Sequence, residues 1–200
     1  MYRFYLAAVD MLPGALILIP VYLLLNSMYF HSVRKSFLYF LFSCYLCVVY
    51  VLVGMPTVTY IRPEMNLNLI PLVGMIADLK NSILNVLLFV PLGFTLPVLW
   101  HRFKTVKPTV LFGFGMSFII ELLQILTFRA TDVNDLITNT LGTFLGFLFA
   151  KTTLKKSPSA KHAVDITAPL ELVIVLASVL LVMFFVYPFV SAALWDWILS

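Results

Sequence analysis

Charge is what this sequence has least of. Only 11% of its 200 residues are Asp, Glu, Lys or Arg, while 62% are hydrophobic, and the mean hydropathy is +1.04. A soluble globular domain carries roughly 25% charged residues. A soluble fold of this length has no interior large enough for so much apolar surface, so the surrounding medium must be lipid. The net charge of +4 is then no sign of a nucleic-acid partner, because Lys and Arg in a membrane protein chiefly report topology. Cysteine is nearly absent. Cys44 and Cys47 form a C-x-x-C, but inside an apolar run. A redox motif needs a strand–helix context and electropositive surroundings, so they read as two small apolar residues. The three histidines, His31, His101 and His162, lie in basic loops. No zinc-ligand spacing occurs, and neither a metal nor a cofactor is expected. There is no internal repeat and no domain boundary, so the chain reads as one domain over residues 1–200.

What the sequence does have is apolar length. Runs able to cross a bilayer, which takes about 20 residues, lie near Met11–Phe30, Phe37–Met55, Ser82–Trp100, Thr109–Phe128, Val133–Ala150 and Pro169–Val190. None alternates with the period of two that a β-barrel strand requires, and helices satisfy their own backbone polar groups, as lipid demands. The expected class is all-α, a polytopic transmembrane bundle of about six spans. The first run contains Pro13 and Pro20 and lacks a small-x-small cleavage site, so it is expected to be retained rather than removed as a signal peptide.

The loops alternate in charge. Arg34 and Lys35 follow the first run, Arg102, Lys104 and Lys107 the third, and Lys151, Lys155, Lys156 and Lys161 the fifth. Arg3, Arg62, Lys80 and Arg129 fall on the other side. The positive-inside rule then sets both termini outside the cytoplasm, in the membrane of a cell whose lipid bilayer is the first partner. Trp195 and Trp197 suit an interfacial belt on the outer side, and the basic stretch KKSPSAK reads as a solvated cytoplasmic connector.

Against this background the stretch ELLQILTFRATDVNDLITNTLG, residues 121–142, stands out: it holds three of the nine carboxylates. Helical spacing sorts its polarity into stripes. Ser117, Glu121 and Gln124 share one face of the fourth span. Asp135, Asn139, Gly142 and Gly146 share one face of the fifth, and Gly142-x-x-x-Gly146 is a small-xxx-small pattern that lets helices approach closely. Asn81 and Asn85 lie one turn apart on the third, which also carries Pro91, a proline that removes a backbone hydrogen bond and invites a kink. With the fourth span running to Phe128, Glu121 sits about 10 Å below its outer end. A carboxylate in the hydrocarbon costs about 2.5–3.5 kcal/mol unless paired or hydrated, so these faces are expected to turn towards each other or a hydrated cavity. Asp132 suits an N-cap, its side chain accepting from the N–H of Asn134 or Asp135. Arg129 can pair with either aspartate.

The runs NSILNVLLFVPLGFTLPVLW (81–100), SFIIELLQ (117–124) and RATDVNDLITNTLGTFLGFLF (129–149) resemble the VanZ-like family of bacterial membrane proteins. The resemblance covers roughly residues 20–150, and the motifs N-x-x-x-N, I-E-x-x-Q, R-x-x-D-x-x-D and N-T-x-G occur in order. Carried over residue by residue, it marks Asn81, Asn85, Pro91, Gly93, Glu121, Gln124, Arg129, Asp132, Asp135, Asn139 and Gly142, with no departure at any of them. The span near 169–190 extends beyond this core. The resemblance implies a bacterial envelope protein of the type linked to resistance against the glycopeptide teicoplanin. An outward-facing polar pocket would then bind an amphiphilic, lipid-linked or glycopeptide-like ligand, with Arg129 as an anion contact.

Two other classes compete. In a membrane-embedded enzyme, Glu121 would serve as a general base with Asp135 as its partner, and Glu121, Asp132 and Asp135 together could hold Mg²⁺ or Ca²⁺. No nucleophile–base pair supports that reading. A small transporter would need a polar path across the whole membrane, and polarity stops halfway, at GFLFA. Ligand and oligomeric state are not legible.

Overall fold

The computed structural model describes residues 2–63, 67–68, 70, 78–127, 131–156 and 169–199, with side chains described for 12–63, 68, 70, 78–127, 132–154 and 170–198. The fold is all-α: α1 (Tyr2–Leu25), α2 (Val33–Leu52), α3 (Leu79–Leu99), α4 (Val106–Gln124), α5 (Val133–Lys156), α6 (Pro169–Leu181) and α7 (Tyr187–Leu199). Two wider π turns, Asn26–Phe30 and Val182–Val186, prolong α1 and join α6 to α7. Among the described residues, five helical stretches are long and apolar enough to cross a membrane: Leu12–Phe30, Val33–Leu52, Leu79–Leu99, Val106–Gln124 and Leu170–Ile198. The other expected span is present as α5, which has the length, but Asn, Asp and Thr on its first turns dilute its hydropathy. The helices gather into two compact units, residues 1–62 with 168–200, and residues 63–167.

The first unit packs α1, α2 and the α6–α7 rod around Leu18, Tyr39, Phe42, Cys47, Val175 and Met183, all buried. The α1–α2 turn is organised by Asn26, whose Oδ1 accepts from the Ser32 N–H (2.9 Å) and the Ser36 hydroxyl (2.8 Å). His31 takes the left-handed conformation there (φ 46°), and Ser32 caps α2. At the far end of α2, Gly54 adopts φ 63°, the left-handed stop that glycine makes without strain. The last span runs on past Val190 to Leu199. Its Pro188 lacks the N–H that would bond the Phe184 carbonyl one turn back. That carbonyl instead accepts from the Val58 N–H at 3.0 Å, which lies in the connection after α2.

In the second unit α5 is the central helix, packed on both α3 and α4. Its contact with α3 is backbone to backbone. A Cβ on Gly142 would land on the Val86 carbonyl oxygen, one on Gly146 on the Val90 carbonyl, and one on Gly93 on the Thr143 carbonyl. The small-xxx-small pattern therefore marks a real point of closest approach, and the pairings show that α3 and α5 run parallel. Pro91, the proline expected to invite a kink, is exposed and stands outside this contact. The helix continues through it, and Gly93 takes the contact. Against α4, the Thr143 side chain fills the space that a Cβ on Gly113 would need, and Asn139 meets Ser117 one turn further out, so α4 and α5 are antiparallel.

Gly146→Ala is therefore expected to destabilise the protein by about 1–3 kcal/mol, because backbone on both sides must move. Gly115→Ala, where a Cβ meets nothing within 4 Å, is expected to be neutral or slightly stabilising. Thermal unfolding of the two variants in the same detergent checks the contrast, and equal Tm values would contradict the close-contact account.

Candidate functional site

The buried side of α4 is a polar stripe set in an apolar helix. Thr109, Gly113, Ser117, Glu121 and Gln124 follow one another at three- or four-residue steps and all are buried. On α5, Asn134, Thr138, Asn139 and Thr143 are buried, and Asn139 and Thr143 face the α4 stripe. The threonines satisfy their hydroxyls on their own helix: Thr138 bonds the Asn134 carbonyl at 3.0 Å and Thr143 the Asn139 carbonyl at 3.0 Å. Asn139 reaches across, its Nδ2 donating to Ser117 Oγ at 2.9 Å.

Glu121 is 5% exposed, so it does not face lipid. Its depth differs from the expectation. Helix α4 ends at Gln124, not Phe128, which leaves Glu121 in the terminal turn, about 5 Å from the helix end at 1.5 Å per residue. The chain then tightens: the Leu126 N–H bonds the Leu123 carbonyl, and Thr127 bonds the Gln124 carbonyl through both its N–H and its hydroxyl. A carboxylate at a helix C-terminus meets the negative end of the dipole. Glu121 escapes this by reaching over to the start of α5, where its Oε2 accepts from the Asp132 N–H at 2.9 Å.

Asp132 performs the capping expected of it. Its Oδ1 accepts from the Asn134 N–H at 2.8 Å, and two carboxylates thus gather at the positive end of α5, where negative charge is favoured. Its second oxygen is also engaged, accepting from Asn68 Nδ2 at 3.1 Å. Asn68 belongs to β1 (Leu67–Asn68), which pairs in parallel with β2 (Thr131–Asp132), Leu67 against Thr131 and Asn68 against Asp132. The α2–α3 connection therefore clasps the α4–α5 turn through one short ladder and one side-chain bond. Asn68 was missed in the sequence reading. Its signal was there in MNLNLI, an alternation of period two that marks a short strand.

The remaining expected residues divide. Asp135 is half-buried in the first turn of α5, and the antiparallel register continued one turn outward sets it level with Glu121. Asn85 is half-buried on α3, one turn before the buried Phe89. Asn81 is exposed and stands apart from the cluster, its N–H donating to the Asp78 cap of α3 at 3.3 Å. Arg129 lies outside the described residues. Among the described residues no three His, Cys, Asp or Glu side chains assemble as a metal site would require. An open groove of about 410 Å³ on α4 and α5, lined by Val106, Lys107, Val110, Leu111, Phe114, Thr140 and Phe144, is apolar and does not include Glu121. The cluster is a packed polar seam, capable of neutral and charge-assisted hydrogen bonding.

In the first unit, sequence reasoning missed another polar meeting. Glu171, in the first turn of α6, accepts from Tyr39 Oη at 2.6 Å and pairs with Lys35 Nζ at 3.3 Å. Nothing in local spacing links residues 132 or 136 positions apart.

The VanZ/LLP1 family model matches residues 37–155 of this chain. The chain is similar to Protein VanZ of Enterococcus faecium, with 37% identity over 86 residues, which is 42% of this chain and 51% of that protein. It thus spans about half the length of the curated relative it matches. No solved structure matches it.

Asp132→Ala removes the acceptor for both Asn134 and Asn68 and is expected to cost about 1–2 kcal/mol. Asn68→Ala removes one bond and is expected to cost about 0.5–1.5 kcal/mol. Because the two share a bond, the double variant should lose less than both single losses together. Unfolding of the four proteins in one detergent measures this, and strict additivity would sever Asn68 from Asp132.

Proposed function

This chain belongs to the VanZ/LLP1 family, and from that premise we propose that it is a bacterial envelope protein conferring resistance to teicoplanin. In this reading the seam at the α4–α5 turn binds the polar part of an amphiphilic or lipid-linked ligand. The observation that carries the reading is Glu121, the single carboxylate of α4 and a buried one. Replacing a buried ionic group by well-packed apolar residues is often neutral or stabilising, so stability alone is a weak reason to hold a carboxylate there. Glu121 and Asp135 would contact amide or hydroxyl groups, with Asp132 holding the turn through Asn134 and Asn68 and Asn139 contributing below them. Arg129, three residues before Asp132 in sequence, supplies an anion contact.

The proposed orientation follows from the nine Lys and Arg after the first, third and fifth spans. It sets the α3–α4 connection in the cytoplasm, and the α2–α3 and α4–α5 connections outside with both termini. That is the side on which a glycopeptide and its cell-wall targets reside.

Two experiments test this. Expressed in a glycopeptide-sensitive bacterium, the wild-type chain should raise the inhibitory concentration of teicoplanin, and Glu121→Gln, at equal membrane abundance, should return it to the empty-vector value. If the wild-type chain leaves susceptibility unchanged, the resistance reading fails. For orientation, Thr59→Cys and Thr105→Cys are made separately in a background without Cys44 and Cys47 and treated with a membrane-impermeant maleimide. Thr59→Cys should label in intact cells and Thr105→Cys only after lysis, and the reverse pattern would invert the topology.

A further inference from the structure

One turn below the carboxylates the seam changes character. Asn85 Nδ2 and Asn139 Oδ1 are both buried and neither has a hydrogen-bond partner among the described residues. Asn139 as a whole is 3% exposed. An unsatisfied buried polar atom costs about 1–3 kcal/mol, and two such atoms of opposite sense in one layer call for an explanation.

Their level follows from the helix contact. Gly142 on α5 packs against Val86 and Phe89 on the parallel helix α3. Asn139 stands one turn before Gly142, and Asn85 one turn before Phe89. On α3, Asn85, Phe89, Leu92 and Leu96 recur at i, i+4, i+7 and i+11, and the last three are almost completely buried. Asn85 is therefore the outermost member of the inward stripe, its amide N–H at the level of the Asn139 carbonyl oxygen.

We propose that Asn85 and Asn139 form a neutral two-point subsite for a hydroxyl group of an amphiphile, Asn85 Nδ2 donating to its oxygen and Asn139 Oδ1 accepting its proton. A hydroxyl both accepts and donates at one atom, which is what a facing donor and acceptor require. The layer is uncharged: Ser117 and Asn139 meet there, and the nearest carboxylates on α4 and α5, Glu121 and Asp135, lie one turn outward. That selects a neutral group over an ion. Access is from the outer end of the seam, since Asn85 is half-buried and Asn81, one turn before it on the same face of α3, is exposed. The subsite rests on the ligand-binding reading of the same seam and specifies the chemistry of what it holds.

The test needs no resistance phenotype. Purified protein in a hydroxyl-free amine-oxide detergent is titrated with 1-O-dodecylglycerol and, separately, with its di-O-methyl ether, and thermal unfolding is recorded. Dodecylglycerol should raise Tm saturably, by about 2–4 °C at several-fold excess over Kd, and the ether should not. Asn85→Leu should abolish the response while leaving the unliganded Tm unchanged or higher, because it removes a donor without a partner. An equal response to both amphiphiles overturns the subsite, as does an undiminished response in Asn85→Leu. No response to either also overturns it, and a lowered Tm in Asn85→Leu would then identify the pair as the seat of a structural water only. The comparison of the two amphiphiles on wild-type protein stands even if the variant fails to fold. Since antibiotic susceptibility is not the readout, loss of the resistance reading and loss of the subsite are separate outcomes.

Discussion

The close approach of α3 and α5 sets the geometry of the whole second unit. In lipid there is no hydrophobic force to drive one apolar helix onto another, so association rests on packing and on hydrogen bonds between helices. Here Gly93, Gly142 and Gly146 remove side chains where the two backbones touch, and the Val86, Val90 and Thr143 carbonyls occupy the space. A contact between backbones has no rotamers to absorb error. It therefore fixes the height of α3 against α5, and with it which polar residues meet one turn further out. The Thr143–Gly113 contact does the same for α4 and brings Ser117 to Asn139. Small residues at the waist of the unit are thus the reason its polar end is in register.

Above that waist, electrostatics arranges the turn. Two carboxylates next to each other would normally repel, yet Glu121 and Asp132 converge on the first backbone N–H groups of α5. Those N–H groups have no partners within the helix, and the dipole adds partial positive charge. Each acid so satisfies a donor that would otherwise be unpaired. Asn68 holds the remaining oxygen of Asp132, so the α2–α3 connection becomes part of the same network. The polar stretch is consequently a folding element as well as a candidate binding surface, and the two roles share the same atoms.

How far the sequence reveals this depends on the range of each interaction. The apolar runs, the buried stripe of α4, the Gly142–Gly146 contact and the Asp132 cap follow from spacing within one helix or across one turn, and the structure has all of them. The end of α4 was misplaced because Ile125, Leu126, Thr127 and Phe128 are apolar enough to prolong a span, while the actual stop lies in a turn bonded back onto Leu123 and Gln124. The last helix runs on past the expected Val190 to Leu199, through residues read as an interfacial belt, and the Phe184 carbonyl that Pro188 leaves without a helical donor accepts from the Val58 N–H elsewhere in the chain. Asn68 with Asp132 and Lys35 and Tyr39 with Glu171 are far apart in sequence, and no periodicity encodes them. Hydropathy also undervalues α5. As the central helix of its unit it shields its polar face on α3 and α4, so a low mean hydropathy there reports neighbours rather than water.

The order of chemistry along the seam then carries an argument about selection of ligands. Outermost are the acids Glu121, Asp132 and Asp135, the first two of which accept from backbone N–H groups at the start of α5. One turn inward the layer of Ser117, Asn139 and Asn85 is neutral, and beyond it the glycine contact leaves no space. In the proposed subsite, a headgroup entering along this gradient would meet the acids before the amide donor and acceptor of the two asparagines. Desolvating an ion at the inner layer would cost several kcal/mol with no countercharge to offset it, whereas a neutral hydroxyl gains two bonds there. Under the proposed reading the seam would discriminate by the polarity of what reaches its floor, and the glycines that hold the helices together would also set how deep a ligand could go.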